Sequence, residues 1–470
     1  MVDAPGVVIP RALDPVVQDE MQRLDKVASD WVRPLRKLDG YVTGEQPLTF
    51  LSDAMRREFG EDLTQLVLNF PGVVVDAYND RLDVEGFRFP GESSGDADLW
   101  AAWQANRMDL QSSMAMEEAL GLSRAAVIVG ENPGGSSGAP VISVESALDV
   151  AWIRDPATGD AVLGQKRWCE ADRSEWRTLY EPGRRLLMTL DRGGWRVVKE
   201  TAYSLGRLPL VPLVNRPRIR ARDGRPEFEA IIPVADAANK IATDMMTSAE
   251  YHAMPRRWAF GLKKSDFQNA DGSQKSSWSF IKGRLWANES KDVKVGQFPE
   301  SDLANFHNTI KLLARLVGQL AGLPIDYLSF DSVNPPSADA LRSAESRLVK
   351  RVERRQVAFG DSWEEVMRLV LLTMGRSLPP EAMRLETVWR DPATPTIGQK
   401  YDAIVKAVTT RGADGRPLVP TEQGRIDLGY TPAQREDMSK MERDAVAVDP
   451  FIAAANDLAG RSDVSSNGGG

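Results

Sequence analysis

In the stretch "SDLANFHNTIKLLARLVGQLAGLP", Leu303, Phe306, Ile310, Leu313, Val317 and Leu320 recur at three- and four-residue steps. That is the period of one helical face, and Gly322 and Pro324 end it, so the pattern predicts an amphipathic helix over 299–322. A second periodic run holds Leu341, Leu348, Val352, Phe359, Trp363, Val366 and Val370 at steps of three, four and seven. It predicts a long helix over 338–375. Between the two, Asn334-Pro335-Pro336 cannot continue a helix, because proline lacks the amide donor and restricts the residue before it. Ser337 can then cap the long helix, with Asp339 in its first turn. Beside its apolar face run Arg342, Arg347, Lys350, Arg351, Arg354 and Arg355. A solvated or inter-subunit face is the simplest reading of that basic stripe.

Elsewhere the periodicity is mixed. Residues 14–39 read as a helix with Val17, Met21, Leu24 and Val27 on one side, followed by a loop, "DGYVTGEQPL". The stretch 71–89 opens with a β-branched run. A helix is expected from Ala97 to Leu120, then the strand "AAVIVG", then a strand-rich region between Trp152 and Val214 punctuated by turn residues. From Pro233 the texture changes to a helix with Val234, Ala237, Ile241, Met245 and Ser248 on its face. Residues 254–298 are short, Trp-rich and strand-like, so two helices bracket a small β module. A proline-rich connector follows Gly375, then a helix near 397–411 and a short helical segment after Thr431. The tail 460–470 is polar and glycine-rich and is expected to be disordered. The whole reads as an α+β chain without internal repeats.

A chain of 470 residues is too long for one core, so two to four structural units are expected. Hydrophobic content of 42% and charged content of 27% suit a soluble globular protein. Net charge is −8, which argues against a protein that coats nucleic acid with a broad basic surface. The single cysteine, Cys169, allows no internal disulfide, and two histidines, His252 and His307, leave almost no means of building a Cys/His zinc site. The N-terminus lacks the features of a signal peptide and no apolar run is long enough to span a bilayer. These features predict a soluble protein, intracellular when made.

Catalytic motifs are weak. "GGSSG" (134–138) matches the nucleophile-elbow pattern around Ser136, but that motif needs a strand-to-helix turn, and here strands are expected on both sides. No Gly-Lys-Ser/Thr follows to hold phosphate. Glu117-Glu118 and Glu364-Glu365 are adjacent in helices and do not face each other. Trp258, Trp278 and Trp286, among Arg256, Arg257, Lys263, Lys264, Lys282 and Arg284, could form a platform for single strands. Packing of a small β module against a neighbouring subunit explains them more simply. No catalytic, cofactor-binding or metal-binding residue is expected.

Several stretches, in order, resemble the portal proteins of tailed phages, of the group common in phages of actinobacteria. They are "VVVDAYNDRLDVEGFRF", "WQANRMD", "ISVESALDVAWIRDPATGD", "VPLVNRP", "DAANKIATDMMTSAEYHAMPRRWA", "NPPSADALRSAESRLVKRVERRQ" and "VWRDPATPT". The resemblance implies a portal fold: an N-terminal wing over 1–232, a first stem helix at 233–252 and a clip at 253–298. A second stem helix at 299–322 would lead to a tunnel loop at 323–337, a long wing helix at 338–375 and a helical crown at 376–459. It also implies a ring, typically of twelve subunits, at one capsid vertex in the virion. Terminase, a head–tail adaptor, capsid and scaffold proteins would be its partners, and double-stranded DNA would pass through its channel without sequence specificity.

In that frame Ile325, Asp326, Tyr327, Leu328, Ser329, Phe330, Asp331, Ser332, Val333 and Asn334 would face the channel. Leu303, Phe306, Ile310, Leu313, Val317 and Leu320 would pack against other stem helices, a neighbour's included. Arg347, Lys350, Arg351, Arg354 and Arg355 form the basic helix, and Arg351, Arg354 and Arg355 are expected to pair with acidic groups of neighbouring subunits. Two other classes stay open: a DNA-binding regulator using helix 341–356, and a serine hydrolase using Ser136.

Overall fold

Asp14 accepts a hydrogen bond from the Val16 amide and Pro15 opens the first helix, α1 (Pro15–Thr43). The computed structural model describes residues 12–47, 66–92, 95–132, 139–203, 205–253, 257–260, 294–297, 303–324, 327–328, 338–393, 397–412, 415–430 and 432–448. They fall into two compact units, Met1–Pro392 and Ala393–Gly470. Helix α1 overruns the expected boundary at residue 39. A glycine such as Gly40 costs a helix only about 1 kcal/mol, and continuing it buries Tyr41, whose hydroxyl donates to Asp236.

Helix α2 (Phe70–Asn79) contains the β-branched run Val73-Val74-Val75. Strand propensity yields to tertiary packing here, because the helix buries Val74, Val75 and Tyr78 while the Asn69 side chain caps the Gly72 amide. Strand β1 (Val84–Arg88) follows. The helix expected over 97–120 is two, α3 (Ala97–Ala105) and α4 (Met108–Leu122). Arg107 takes a left-handed conformation at the break, with φ of 54°. Asn106 holds that break in place, donating to the carbonyls of Ala102 and Pro140 and accepting from the Ile142 amide.

Strand β2 (Arg124–Gly130) is the centre of a three-stranded antiparallel sheet, between β3 (Val141–Ser146) and β9 (Leu210–Val214). A second sheet is a five-stranded antiparallel meander of β4 (Val150–Arg154), β5 (Ala161–Cys169), β6 (Glu175–Glu181), β7 (Arg184–Asp191) and β8 (Gly194–Ala202). Val17, Met21 and Leu24 of α1 pack on its Leu163, Leu179, Leu186, Met188 and Val197. GGSSG lies outside the described residues, and the strands on either side of it, β2 and β3, pair with each other. A strand follows as well as precedes the motif, where a nucleophile elbow needs a helix to follow.

Helix α5 (Ile232–Ala253) packs against α6 (Ala304–Ala321). Its buried positions are Ala235, Ala238, Asn239, Ala242 and Thr243, one step round the helix from the expected face, so small residues carry the close approach. Between the two helices β10 (Arg257–Phe260) and β11 (Lys294–Gln297) pair antiparallel; Trp278 and Trp286 lie outside the described residues. Helix α7 (Ala338–Thr373) runs through the main core, where Leu348, Val352, Phe359, Trp363, Val366 and Val370 are all fully buried. The Trp363 ring meets Trp103 edge-on at 5.3 Å. Strand β12 (Glu386–Trp389) then returns to pair antiparallel with β1.

The second unit contains α8 (Ile397–Thr409), α9 (Thr421–Asp427) and α10 (Pro432–Val448). Glu422 of α9 takes Arg435 of α10 at 3.1 Å, and Arg425 pairs with Glu442. The tail 460–470 lies outside the described residues.

Candidate functional site at the feet of the loop between two long helices

The last carbonyls of a helix have no amide partners within it. At the end of α6 the neighbouring helix supplies donors. Arg347 Nη1 donates to Gln319 O at 3.1 Å, and Arg351 Nη1 donates to Leu320 O at 3.1 Å and to Ala321 O. From α2, the Tyr78 hydroxyl donates to Ala321 O at 2.7 Å. Two guanidinium groups thus sit at the negative end of the α6 dipole. Gly322 closes the helix with φ of +78°, and the Leu323 amide returns to Gly318 O at 2.9 Å. A Cβ at Gly322 would lie 3.0 Å from the Arg351 guanidinium, so the arginine needs this glycine as much as the turn does. Burial pushes the Tyr78 hydroxyl pKa up and Glu227 adds to the rise, against the opposing pull of Arg351, which keeps the phenol a donor.

Arg347, Arg351 and Arg355 stand four residues apart and share one face of α7. Arg355 reaches Glu227 through Nε at 2.9 Å and Nη2 at 3.2 Å. The Glu227 side chain is 1% exposed, and Asn215 Nδ2 also donates to it. Arg81, itself buried, ties Tyr327, just past α6, to α7. It donates to Pro392 O at 2.7 Å, to the Tyr327 hydroxyl at 2.9 Å and to Glu345 of α7 at 3.1 Å. Burial works against the Arg81 charge, but Tyr327 and Glu345 outweigh it and its pKa is raised.

Of the expected channel residues, Tyr327 is exposed and Leu328 is partly buried against the core. Ile325, Asp326, Ser329, Phe330, Asp331, Ser332, Val333 and Asn334 lie outside the described residues. On α6 and just before it, Ile310 and Val317 are buried within the chain, Leu303, Phe306 and Leu313 are half-buried, and Leu320 is exposed. The basic helix departs from expectation. Arg351 and Arg355 are engaged inside their own chain, because a helix end and a buried carboxylate face them there. Lys350 pairs with Glu353 of its own helix at 2.5 Å, and Arg354 is exposed. Tyr78, Arg81 and Glu227 were not legible as partners, since no local pattern announces a contact across 100 or more residues. Leu312 and Leu316 carried a readable signal, the four-residue step that ends at Leu320. Among the described residues no group of three or more His, Cys, Asp or Glu is placed to hold a metal, and no helix is long and apolar enough to cross a membrane.

The sequence matches the family described as phage portal protein, SPP1 Gp6-like, over residues 35–415. It is 34% identical over 390 residues to the portal protein of Mycobacterium phage D29, covering 81% of this chain and 80% of that one. With the portal protein of Mycobacterium phage L5 it shares 32% identity over 442 residues, 92% of this chain and 89% of that one. Among solved structures, a chain of "Neck of empty GTA particle computed with C6 symmetry" aligns with a TM-score of 0.47 and 13% identity, covering 85% of this chain and 94% of that one. One family pattern spans most of the sequence, and two relatives above 30% identity match along most of their own length. The chain belongs to the SPP1 Gp6-like phage portal proteins, which are structural, non-enzymatic components of the head–tail connector at the portal vertex of the virion.

Proposed function

We propose that copies of this chain close into a ring of twelve around a channel through which double-stranded DNA enters and leaves the capsid. In this reading α5 and α6 form the stem, 253–298 the clip, 323–337 the tunnel loop and α7 the long wing helix that completes the N-terminal wing. The C-terminal unit forms the crown. Terminase and a head–tail adaptor dock on the ring, and capsid and scaffold proteins surround it.

One observation carries the ring. While α6 buries Ile310, Ala314, Val317 and Ala321 in its own chain, Leu312, Leu316 and Leu320 remain 56%, 38% and 42% exposed at four-residue steps. A leucine stripe left open along one helix suits the stem helix of an adjacent subunit. The segment suits a channel element because the helices flanking it are anchored: Arg351 holds the end of α6, and Arg81 ties Tyr327 to Glu345 of α7. An acidic chain also suits a conduit along which DNA must slide, since a densely cationic wall would hold phosphates. A DNA-binding regulator using helix 341–356 loses its basis, because Arg347, Arg351 and Arg355 are occupied within the chain.

Deleting Ser329 to Val333 in the phage tests the assignment. Rings and empty capsids should form while DNA packaging or retention fails. A deletion that abolishes the ring would put this segment in the subunit interface instead.

A further inference from the structure

Between β9 and α5 a short hairpin protrudes with the sequence "RPRIRARDGR" at 216–225. Arg218 and Ala221 exchange backbone hydrogen bonds of 3.0 and 2.9 Å, so Ile219 and Arg220 form its tip. Ile219 is 93% exposed. Buried Asn215 fixes the base: its amide donates to Ser123 O, its carbonyl accepts from the Arg225 amide, and its Nδ2 donates to Arg225 O, each at 2.9 Å. Gly224 has φ of +81°, and a Cβ there would lie 2.4 Å from Asn215 O and 2.5 Å from Ser123 O, so only glycine closes this turn. Asp223 is taken by Arg124 and Arg154, and Arg225 pairs with Glu229. Arg218, Arg220 and Arg222 are exposed and make no ion pair among the described residues. A stiff finger therefore presents Arg218 and Arg220 around an apolar tip, with little ordering left to lose on docking, while the Arg222 guanidinium lies beside Gly159.

The matching surface lies on α2 and α4 of the same unit. These helices are stitched side by side by Asn79 Nδ2 donating to Ser113 Oγ at 3.0 Å. Val73, Asp76 and Asp80 share the outer face of α2, and Leu110, Met114 and Glu117 that of α4, at three- and four-residue steps. All six are exposed, and the three acids make no ion pair among the described residues. Partial burial and mutual repulsion raise the carboxyl pKa of Asp76, which faces Asp80, and of Glu117, which faces Asp76.

We propose that Ile219 of one subunit seats among Val73, Leu110 and Met114 of the next, with Arg218 and Arg220 opposite the acidic cluster of Asp76, Asp80 and Glu117. This rests on the ring reading above and adds a second contact, in the wing. Two unlike faces on one chain, complementary to each other and neither satisfied at home, are what a heterologous contact requires, and such contacts close into rings. DNA is the poorer occupant, because phosphates match the arginines but leave Ile219 in water.

Three variants of the full chain test it by mass photometry at one concentration and salt: Arg218→Glu with Arg220→Glu, Asp76→Lys with Glu117→Lys, and all four together. Each pair of reversals should cut the ring fraction at least about fivefold, since like charges opposed across an interface repel strongly, and the fourfold variant should recover most of it. The melting temperature of the dissociated chain should not move. If either pair assembles like the unsubstituted chain, or if the fourfold variant does not recover, the pairing is wrong. Normal rings that package no DNA would assign the finger to DNA. If the unsubstituted chain itself forms no ring, the underlying reading falls, a different outcome from normal assembly by the reversed variants.

Discussion

Water scarcely reaches the Glu227 carboxylate, and its charge is tolerable only because Arg355 and Asn215 donate to it. Arg355→Ala removes the cation and leaves the anion buried, a change that costs on the order of 3–5 kcal/mol. A denaturant titration should show that loss, whereas Lys350→Ala, which breaks an exposed pair within one helix, should leave the midpoint unchanged. Equal effects would mean that burial does not distinguish the two. Among the described residues Glu118 has no cation beside it. Burial raises its carboxyl pKa above the ordinary 4.5, Asp39 adds to the rise, and the Ser146 hydroxyl opposes it. A raised value means that the folded state holds the proton more tightly. The stabilisation is present below pH 4.5 and is lost as pH climbs through the raised value. Glu118→Gln should therefore melt higher than the parent at pH 7, with the gain fading below pH 4.5. A lower melting temperature at pH 7 would show that the ionised carboxylate is favourable where it sits.

Among the elements, α6 separates folding from assembly. Ile310 is buried in its own chain and Leu312 and Leu316 are not, although all three fall within two turns. Ile310→Asp should destabilise the subunit itself, by burying an unpaired charge. Leu312→Asp with Leu316→Asp should leave the subunit's circular dichroism and melting intact and prevent rings. Rings from that double variant would remove the stripe from the interface. Sequence periodicity finds both α6 and α7, because each buries a continuous face against a core, although the expected start of α6 at 299 precedes the observed one at Ala304. It did less well where local preference and packing disagree. The valines of α2 prefer strands but are helical, and α3 and α4 divide at Asn106, whose hydrogen bonds with Pro140 and with Ile142 of β3 span 34 and 36 residues and could not be read locally. On α7 the count of basic residues was legible and their direction was not. Arg351 and Arg355 turn inward because of α6 and Glu227, one at least 30 residues away along the chain and the other 128.

For the whole molecule, family membership was readable because several stretches keep their order along the chain, which no single motif could supply. What one subunit cannot contain is the partner for its open faces: the leucine stripe on α6, the arginine finger and the acidic face of α2 and α4. In the proposed ring all three meet neighbours. The most direct measurement is electron microscopy of the purified full-length chain, with the particles classified by symmetry. The account predicts closed rings of twelve subunits around a central channel, with density for α6 against its neighbour. A population of monomers, or of two-fold dimers without a channel, would contradict it.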